Sequence, residues 1–265
     1  MNHVSKIYDR VLYQTCPLCE SSNFEMIQES DCSDHPSYSK ELPSSMIWNE
    51  CKDCNHVFIN GYFNENALEL IFNSTQSSQE VGNNIEINRP VSAKIIDKIT
   101  QHKSKGIWLD VGFGNGSLLF TAQEYGFYPV GLDLRNKTVN DMKLSGIECY
   151  KSKIEDFNFD KKISVISMAD LLEHTFYPKL SLSAAKSLLE KDGIIFLSMP
   201  NIDSVIFRIA TQQNSNPYWK EIEHFHNFSK ERLYKLLDEV GFIPLSYGIS
   251  ERYRMCMEII AKVKN

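Results

Sequence analysis

Glycines at alternate positions, directly after a short apolar stretch, are the feature that most constrains this chain. The apolar residues 107–109 lead into Asp110, then Gly112, Gly114 and Gly116 follow, and an apolar helical pattern begins at once. This order predicts a strand, a tight turn and a helix start, where missing side chains let a ligand touch the backbone. The alternative is a glycine turn that only lets the helix pack close to the strand.

Two acidic residues indicate the kind of ligand. Asp110 brings a carboxylate to the turn, which disfavours a dinucleotide pyrophosphate and favours a sulfonium cofactor that carries an amino group. Residues 128–134 predict a second strand with Asp133 near its end, after a helix over residues 117–125. An acid at the end of the second strand of a βαβ unit accepts hydrogen bonds from both ribose hydroxyls. We therefore expect the ligand to contain a ribose.

Four motifs, in order along the chain, resemble those of the class I S-adenosylmethionine (SAM) methyltransferases. They are Asp-Val-Gly-Phe-Gly-Asn-Gly over residues 110–116, Gly-Leu-Asp-Leu over 131–134, Lys-Ile-Glu-Asp-Phe over 153–157 and Asp-Leu-Leu-Glu-His over 170–174. The resemblance implies that Gly112 and Gly114 contact the methionine part of SAM, with Asp110 near its amino group. The other cofactor-binding residues it implies are Asp133 at the ribose, Ile154 and Glu155 at the adenine, and Leu134 and Asp170. Many relatives carry an aspartate where Lys153 stands here, which weakens the adenine assignment.

The fold predicted from this pattern is α/β, a Rossmann-like seven-stranded methyltransferase sheet with a small N-terminal zinc-binding module. Strands are predicted near residues 107–110, 129–133, 147–150, 163–168 and 193–198, with helices between them. The resemblance implies that the tail adds an antiparallel hairpin. The predicted division is a zinc module over residues 1–60, a helical cover or linker over 61–105 and a SAM domain over 106–265. The polar run 73–79 is predicted as a loop or mobile linker.

Four of the seven cysteines form two pairs with two residues between partners, Cys16 with Cys19 and Cys51 with Cys54. Two such pairs complete a tetrahedral thiolate shell around zinc. Four thiolates leave no open coordination position, so we expect a structural ion. The alternatives are buried thiols or redox-active pairs.

Three other features of the zinc module also give expectations. The segment of residues 20–50 is too polar for a core of its own, so the metal is expected to hold it. His56, just after the second cysteine pair, is an alternative zinc ligand. His35 has no visible partner and is expected in a loop.

Methyl transfer from a sulfonium depends on alignment, and a base is needed when the acceptor is a hydroxyl or a carbon acid. Two clusters offer a candidate base. They are Glu173 with His174 after the fourth strand, and residues 221–229 after the fifth strand. The second resembles a Glu-His-Phe-x-x-Phe-Ser stretch of the zinc-containing sugar C-methyltransferases, which implies that His174, Glu223 and His224 are catalytic. The alternatives are helix bracing and half-buried histidines, with Ser229 as a helix N-cap.

These observations predict methyl transfer to a hydroxyl or activated carbon of a small molecule or glycan precursor, nucleotide sugars included. The sugar C-methyltransferases carry a further C-terminal domain, whereas this sequence ends at Asn265, which leaves a sugar acceptor in doubt. A zinc-ribbon RNA methyltransferase is an alternative that the net charge of −6 disfavours. A nicotinamide-dependent oxidoreductase is a second, disfavoured by the early third glycine. A non-enzymatic scaffold that keeps the SAM fold is the third.

The sequence has no apolar stretch of membrane-spanning length and no signal-peptide pattern at residues 1–6. We therefore expect a cytoplasmic protein with no membrane partner. The pattern makes no prediction about oligomeric state.

Overall fold

The computed structural model describes residues 8–73 and 79–264. The chain divides into two compact units, and both are discontinuous in sequence. The first comprises residues 1–75, 173–177 and 201–232, and the second comprises 76–172, 178–200 and 233–265. The three-part division at residues 60 and 105 stays a prediction. The expectations for residues 1–6 and for residues 74–78 of the polar run lie outside the described residues.

Strands and helices alternate regularly in the second unit, whereas the first unit consists mostly of strands. The strands are β1 (Arg10–Leu12), β2 (Phe24–Asp31), β3 (Ser45–Cys51), β4 (Val57–Ile59), β5 (Gly61–Phe63), β6 (Ile107–Val111), β7 (Tyr128–Asp133), β8 (Glu148–Lys151), β9 (Ile163–Ala169), β10 (Leu189–Pro200), β11 (His226–Asn227), β12 (Phe242–Ile249) and β13 (Cys256–Val263). The helices are α1 (Glu65–Asn73), α2 (Ile85–Thr100), α3 (Ser117–Glu124), α4 (Asn136–Leu144), α5 (Pro178–Leu188), α6 (Val205–Gln212) and α7 (Lys230–Val240). Single 3-10 turns cover Ile154–Asp156, Leu172–His174 and Pro217–Trp219.

The second unit contains a seven-stranded sheet in the order β12-β13-β10-β9-β6-β7-β8. Strands β6 to β10 pair in parallel, and β13 pairs antiparallel with both β10 and β12. The predicted seven-stranded α/β sheet and its closing antiparallel hairpin are therefore confirmed. Every residue of β9 is buried, as expected for a central parallel strand covered on both faces.

The core of this unit fixes the position of β6, which carries the predicted ligand-binding turn. Trp108 of β6 is fully buried and packs edge-on against Phe127. Helix α2 buries Ile95, Ile96 and Ile99. In the sheet, Asp110 pairs with Gly131 of β7 and Ser167 of β9. Asp110 therefore lies at the carboxyl end of a central strand, where open parallel sheets bind ligands.

The first unit contains a four-stranded sheet in the order β11-β4-β3-β2 and a two-stranded sheet of β1 and β5, both antiparallel. Leu42, Met46 and Trp48 are buried within the segment of residues 20–50. Trp48 packs against Trp219, which lies outside this segment, so these side chains are buried with help from the rest of the unit. β2 exposes most of its side chains while β3 buries several of its own. That a metal holds the segment stays a prediction.

Among the residues that the structure describes, no helix combines the length and the apolar character needed to cross a membrane.

Candidate cofactor site, cysteine cluster and histidine cluster

Asp110 is held at the end of β6 by a chain of hydrogen bonds within the sheet. Trp108 Nε1 donates to Ser167 Oγ at 2.8 Å, and Ser167 Oγ donates to Asp110 Oδ1 at 2.6 Å. Burial raises the pKa of the Asp110 carboxyl to about 7, although the Ser167 hydrogen bond and the Arg252 charge act in the opposite direction. An incoming ammonium group would offset this desolvation.

The turn after β6 has the open backbone that a bulky ligand needs. Gly112 and Gly114 have positive φ angles of 72° and 55°, which side chains rarely adopt. A methyl group added at Gly114 would meet nothing closer than Gly112 O at 4.0 Å, whereas one at Gly116 would overlap the Met142 side chain. Gly114 therefore leaves space over the backbone, and Gly116 permits close packing. Together with the Asp110 carboxylate, this open cradle fits the amino-acid end of SAM.

Asp133 lies at the end of β7, as predicted, but its carboxylate is already engaged by Arg135. Oδ1 accepts from the Arg135 backbone N and from Nε, both at 2.9 Å, and Oδ2 pairs with Nη2 at 2.7 Å. Gln79 Oε1 accepts from Arg135 Nη1 at 2.6 Å. A ribose that binds Asp133 must therefore displace the guanidinium.

The structure places the other predicted cofactor residues in the same unit, in different environments. Leu134 is exposed, Ile154 is buried, and Glu155 accepts a hydrogen bond from Ser181 Oγ. Asp170 has a positive φ of 55°, accepts from Ser198 Oγ at 2.7 Å and lies 3.2 Å from Arg252 Nη1. Their roles in cofactor binding stay predictions. The sequence pattern does not predict that Arg252 belongs to this site. Arg252 lies near the far end of the chain, and only the fold brings its positive charge near Asp110 and Asp170.

The four paired cysteines converge on one point in the first unit. Their sulfur atoms all lie within 4.8 Å of one another. Cys16 Sγ lies 3.7 Å from Cys54 Sγ, and Cys19 Sγ lies 3.5 Å from Cys51 Sγ. Tetrahedral zinc with Zn–S bonds of about 2.3 Å requires sulfurs roughly 3.8 Å apart. The cluster therefore fits the predicted structural zinc.

Both cysteine pairs sit in turns of the same design. Glu20 and Asn55, each just after the second cysteine of its pair, have left-handed φ angles of 61° and 57°. The backbone N–H of each donates to the carbonyl of the pair's first cysteine. Asp53 links the two turns, since it accepts from Ser21 Oγ and from Asn23 Nδ2. This repetition is what aims both sulfurs of each pair at a common centre.

His56 is not part of the cysteine cluster, so its predicted role as a substitute zinc ligand is wrong. Its Nε2 lies 3.0 Å from Nδ1 of His226, whose own Nε2 lies 2.8 Å from the Thr175 carbonyl. Because a carbonyl only accepts, His226 donates from Nε2 and accepts from His56. Burial lowers the pKa of both histidines, that of His226 to about 3. This buried pair is therefore neutral and structural.

His174 and His224 come together in the first unit with Glu173. Their rings are perpendicular, with centroids 4.6 Å apart. The ligand atoms of Glu173, His174 and His224 all lie within 4.8 Å of one another, which makes this the second group in the described chain able to hold a metal. The Phe225 N–H donates to the Glu173 carbonyl at 2.8 Å and ties the two segments together.

Glu223 contributes to this cluster through its backbone. Its carbonyl oxygen lies 2.9 Å from His174 Nδ1, so Nδ1 carries the proton and Nε2 of the neutral ring keeps its lone pair. His224 is 5 % exposed, and burial, followed by the electrostatic interaction with the neighbouring His174, lowers its pKa to about 3. The catalytic roles of His174, Glu223 and His224 stay predictions. The predicted N-cap is present, because Arg232 N donates to Ser229 Oγ at 3.0 Å.

His35, expected to lack a partner, forms an ion pair with Glu221 at 2.7 Å, although it does lie in a loop. Burial would raise the pKa of Glu221, but the His35 hydrogen bond and the charge of His224 bring it down to about 2. Sequence reasoning missed this pair because the two residues come from distant segments. The acidic cluster of residues 221–223 was the available signal.

With this geometry established, comparison with known proteins identifies the family. Residues 86–247, more than half of the chain, match the methyltransferase-domain family. The chain belongs to that family and has the class I SAM-dependent methyltransferase fold, which is a SAM-binding fold.

Individual relatives are more distant. The ubiquinone biosynthesis O-methyltransferase of Haemophilus ducreyi is 28 % identical over 117 residues, which are 38 % of this chain and 50 % of that protein. The chain thus spans about half the length of the curated relatives that it matches. Among solved structures, magnesium protoporphyrin IX methyltransferase from Synechocystis with bound SAH has a TM-score of 0.55 at 15 % identity, covering 67 % of this chain and 84 % of that one. A Burkholderia thailandensis 1,6-didemethyltoxoflavin-N1-methyltransferase has a TM-score of 0.52 at 16 % identity, with coverage of 67 % and 78 %.

Proposed function

We propose that this chain is a methyltransferase that uses SAM to methylate a small molecule at a hydroxyl or activated carbon, with hydroxyl acceptors slightly favoured. The observation that carries the proposal is the open backbone at Gly114 beside the buried Asp110 carboxylate. Membership of the methyltransferase-domain family and the O-methyltransferase relatives support it. Glycan precursors, nucleotide sugars included, remain within the proposed acceptor class.

The reaction has simple requirements. The acceptor loses a proton, its electron pair forms a bond to the methyl carbon, and the carbon–sulfur bond breaks with its electrons left on sulfur. The products are the methylated acceptor and S-adenosylhomocysteine. Much of the rate comes from alignment, and proton removal adds to it. We assign proton removal to the cluster of His174, His224 and Glu223, in which the Glu223 carbonyl orients the His174 ring.

Aromatic side chains in the first unit support a flat or apolar acceptor. Tyr62 stacks on Phe176 with centroids 4.2 Å apart, and Tyr218 stacks on His224 at 5.7 Å. The Phe207 ring contacts the rings of both Tyr218 and Trp219. Such rings give large contact areas at small entropic cost. A cytoplasmic location stays a prediction from the sequence.

The test begins with calorimetric titration of the full chain with SAM and, separately, NAD. We expect SAM to bind and NAD not to bind. Formation of S-adenosylhomocysteine is then measured with hydroxylated aromatic compounds, nucleotide sugars and RNA. Substitution His224→Ala should slow turnover with SAM affinity intact, whereas exposed His102→Ala should change neither. Absence of SAM binding, or methylation of RNA alone, would overturn the proposal.

A further inference from the structure

A buried group of one carboxylate and two imidazoles lies in the first unit, apart from the cysteine cluster. Glu173 is 1 % exposed and His224 is 5 % exposed, while His174 is partly exposed. Their ligand atoms lie within 4.8 Å of one another. Bonds of about 2.0–2.2 Å to a common ion require such atoms to be roughly 3.0–3.4 Å apart. Small side-chain rotations would therefore bring all three onto one ion.

The hydrogen bonds leave nitrogen lone pairs available for an ion. His174 Nδ1 donates to the Glu223 carbonyl, so Nε2 is the free acceptor of the neutral ring. A backbone carbonyl that fixes the tautomer in this way is typical of metal-binding histidines. His224 Nδ1 is buried and has no hydrogen-bond partner within the described ranges 8–73 and 79–264. A buried imidazole nitrogen without a partner is costly, and coordination of a cation would remove that cost.

From this geometry we infer that Glu173, His174 and His224 bind a divalent transition-metal ion. A set of two imidazoles and one carboxylate suits ions such as Mn²⁺, Fe²⁺, Co²⁺ or Zn²⁺. It differs from the four thiolates of the cysteine cluster, whose soft sulfurs select zinc. The two groups of side chains therefore differ in the ions that they favour.

The ion gives the histidine cluster a chemical role that rests on the proposed function. Three protein ligands leave coordination positions open, and an acceptor hydroxyl oxygen can occupy one of them. A divalent ion lowers the pKa of a bound hydroxyl, so the proton leaves to water and the oxygen keeps its electron pair for attack. In this arrangement the cluster still promotes proton removal, but its two imidazoles act through the ion that they hold instead of taking up the proton as a base.

The direct test measures metal binding without SAM or acceptor. The full chain, carrying one zinc in its cysteine cluster, is titrated with Mn²⁺ while electron paramagnetic resonance reports the free ion. Mn²⁺ is a suitable probe because it binds thiolates poorly and does not displace zinc. We expect one bound Mn²⁺ per chain. No binding at millimolar Mn²⁺ would overturn the inference.

Variants locate the ion. Substitutions His174→Ala, His224→Ala and Glu173→Gln should each weaken Mn²⁺ binding by about tenfold or more. The control His102→Ala removes an exposed histidine of the other unit and should bind Mn²⁺ normally. Circular dichroism and SAM affinity establish that each variant is folded. Equal Mn²⁺ affinity in folded variants and wild type would overturn the inference.

Diffraction from wild-type crystals soaked in Mn²⁺ keeps the inference testable if the variants do not fold. An anomalous peak between the three side chains supports it, and a peak elsewhere alone overturns it. The metal site and the proposed function can be refuted independently of each other. Mn²⁺ binding at this cluster without any methyl transfer upholds the site and counts against the function. Methyl transfer by a chain that binds no Mn²⁺ overturns the site and leaves the function standing.

Discussion

Arg135 holds both carboxylate oxygens of Asp133, the residue expected to bind the ribose hydroxyls of SAM. Asp133 is nearly buried and the Arg135 side chain is mostly buried, so their ion pair is better shielded than a surface pair. The ribose of an incoming SAM would therefore compete with the guanidinium for one carboxylate. Two substitutions separate these contributions.

Removal of the carboxylate should weaken cofactor binding. We expect Asp133→Ala to reduce SAM affinity by about 1–3 kcal/mol, because a charge-assisted contact to two hydroxyls is lost. Isothermal calorimetry measures the effect, and adenine binding alone should change little. Unchanged affinity for SAM would remove Asp133 from the cofactor site.

Removal of the guanidinium should act in the opposite direction. We expect Arg135→Ala to strengthen SAM binding by about fivefold, since an ion pair worth roughly 1 kcal/mol no longer has to break. Lys137→Ala, which removes an exposed cation two residues further along the chain, serves as the control. A weaker affinity in Arg135→Ala would show that Arg135 contacts the cofactor instead of competing with it.

The raised pKa of Asp110 predicts a pH-dependent cofactor affinity. The free carboxyl titrates near pH 7, and the SAM ammonium group binds its charged form. Binding therefore releases a proton, and affinity should rise about tenfold or more between pH 5.5 and 7.5. The upper pH of this range stays below the ordinary pKa of an α-amino group, so the SAM amino group keeps its charge throughout.

Ser167→Ala provides the matched variant for this pH profile. Ser167 donates to the Asp110 carboxylate and lowers its pKa, so its loss should move the rise in affinity to higher pH. Calorimetry in several buffers measures both affinity and proton release. A flat profile in the wild type would contradict the assignment of Asp110 to the ammonium group.

Two glycines of one turn should respond differently to a methyl group. Gly114→Ala places the methyl group in open space, so it should weaken SAM binding by about tenfold while the only stability cost is the strained φ, of order 1–3 kcal/mol. Gly116→Ala also places a side chain at a positive φ and in addition overlaps the buried Met142 side chain, so it should lower the unfolding midpoint further. Melting curves and SAM titrations compare them. Equal stability in the two variants would contradict this distinction.

Loss of zinc should destabilise the first unit. Cys16→Ser should abolish zinc binding and lower the thermal midpoint by about 5 °C or more, because the ion joins two turns that are otherwise linked by the Asp53 hydrogen bonds and the Lys52 N–H to Asn23 carbonyl bond. Metal analysis and calorimetry measure these effects. Cys32→Ala, at a free buried cysteine outside the cluster, should keep one zinc per chain. Full zinc content in Cys16→Ser would contradict the assignment.

Regular patterns along the chain made the fold predictable. The strand, turn and helix around Gly112 and the two cysteine pairs are local signals, and the structure confirms the sheet and the cysteine cluster. The partners of His35 and His56 were not predictable, because side chains from distant segments meet only after folding. The Arg135 side chain over Asp133 is a choice of rotamer, which no sequence pattern encodes.

The pairing of β4 with β11 has a practical consequence for protein engineering. Residues 226 and 227 complete their ladder with residues 57 and 58, just after the second cysteine pair. A truncated chain that starts beyond residue 60 would lack β4. The backbone of β11 would then lose its hydrogen-bonding partner two positions from His224. Deleting the segment that holds the two cysteine pairs, or transferring it alone to another protein, would therefore disturb the proposed catalytic histidines.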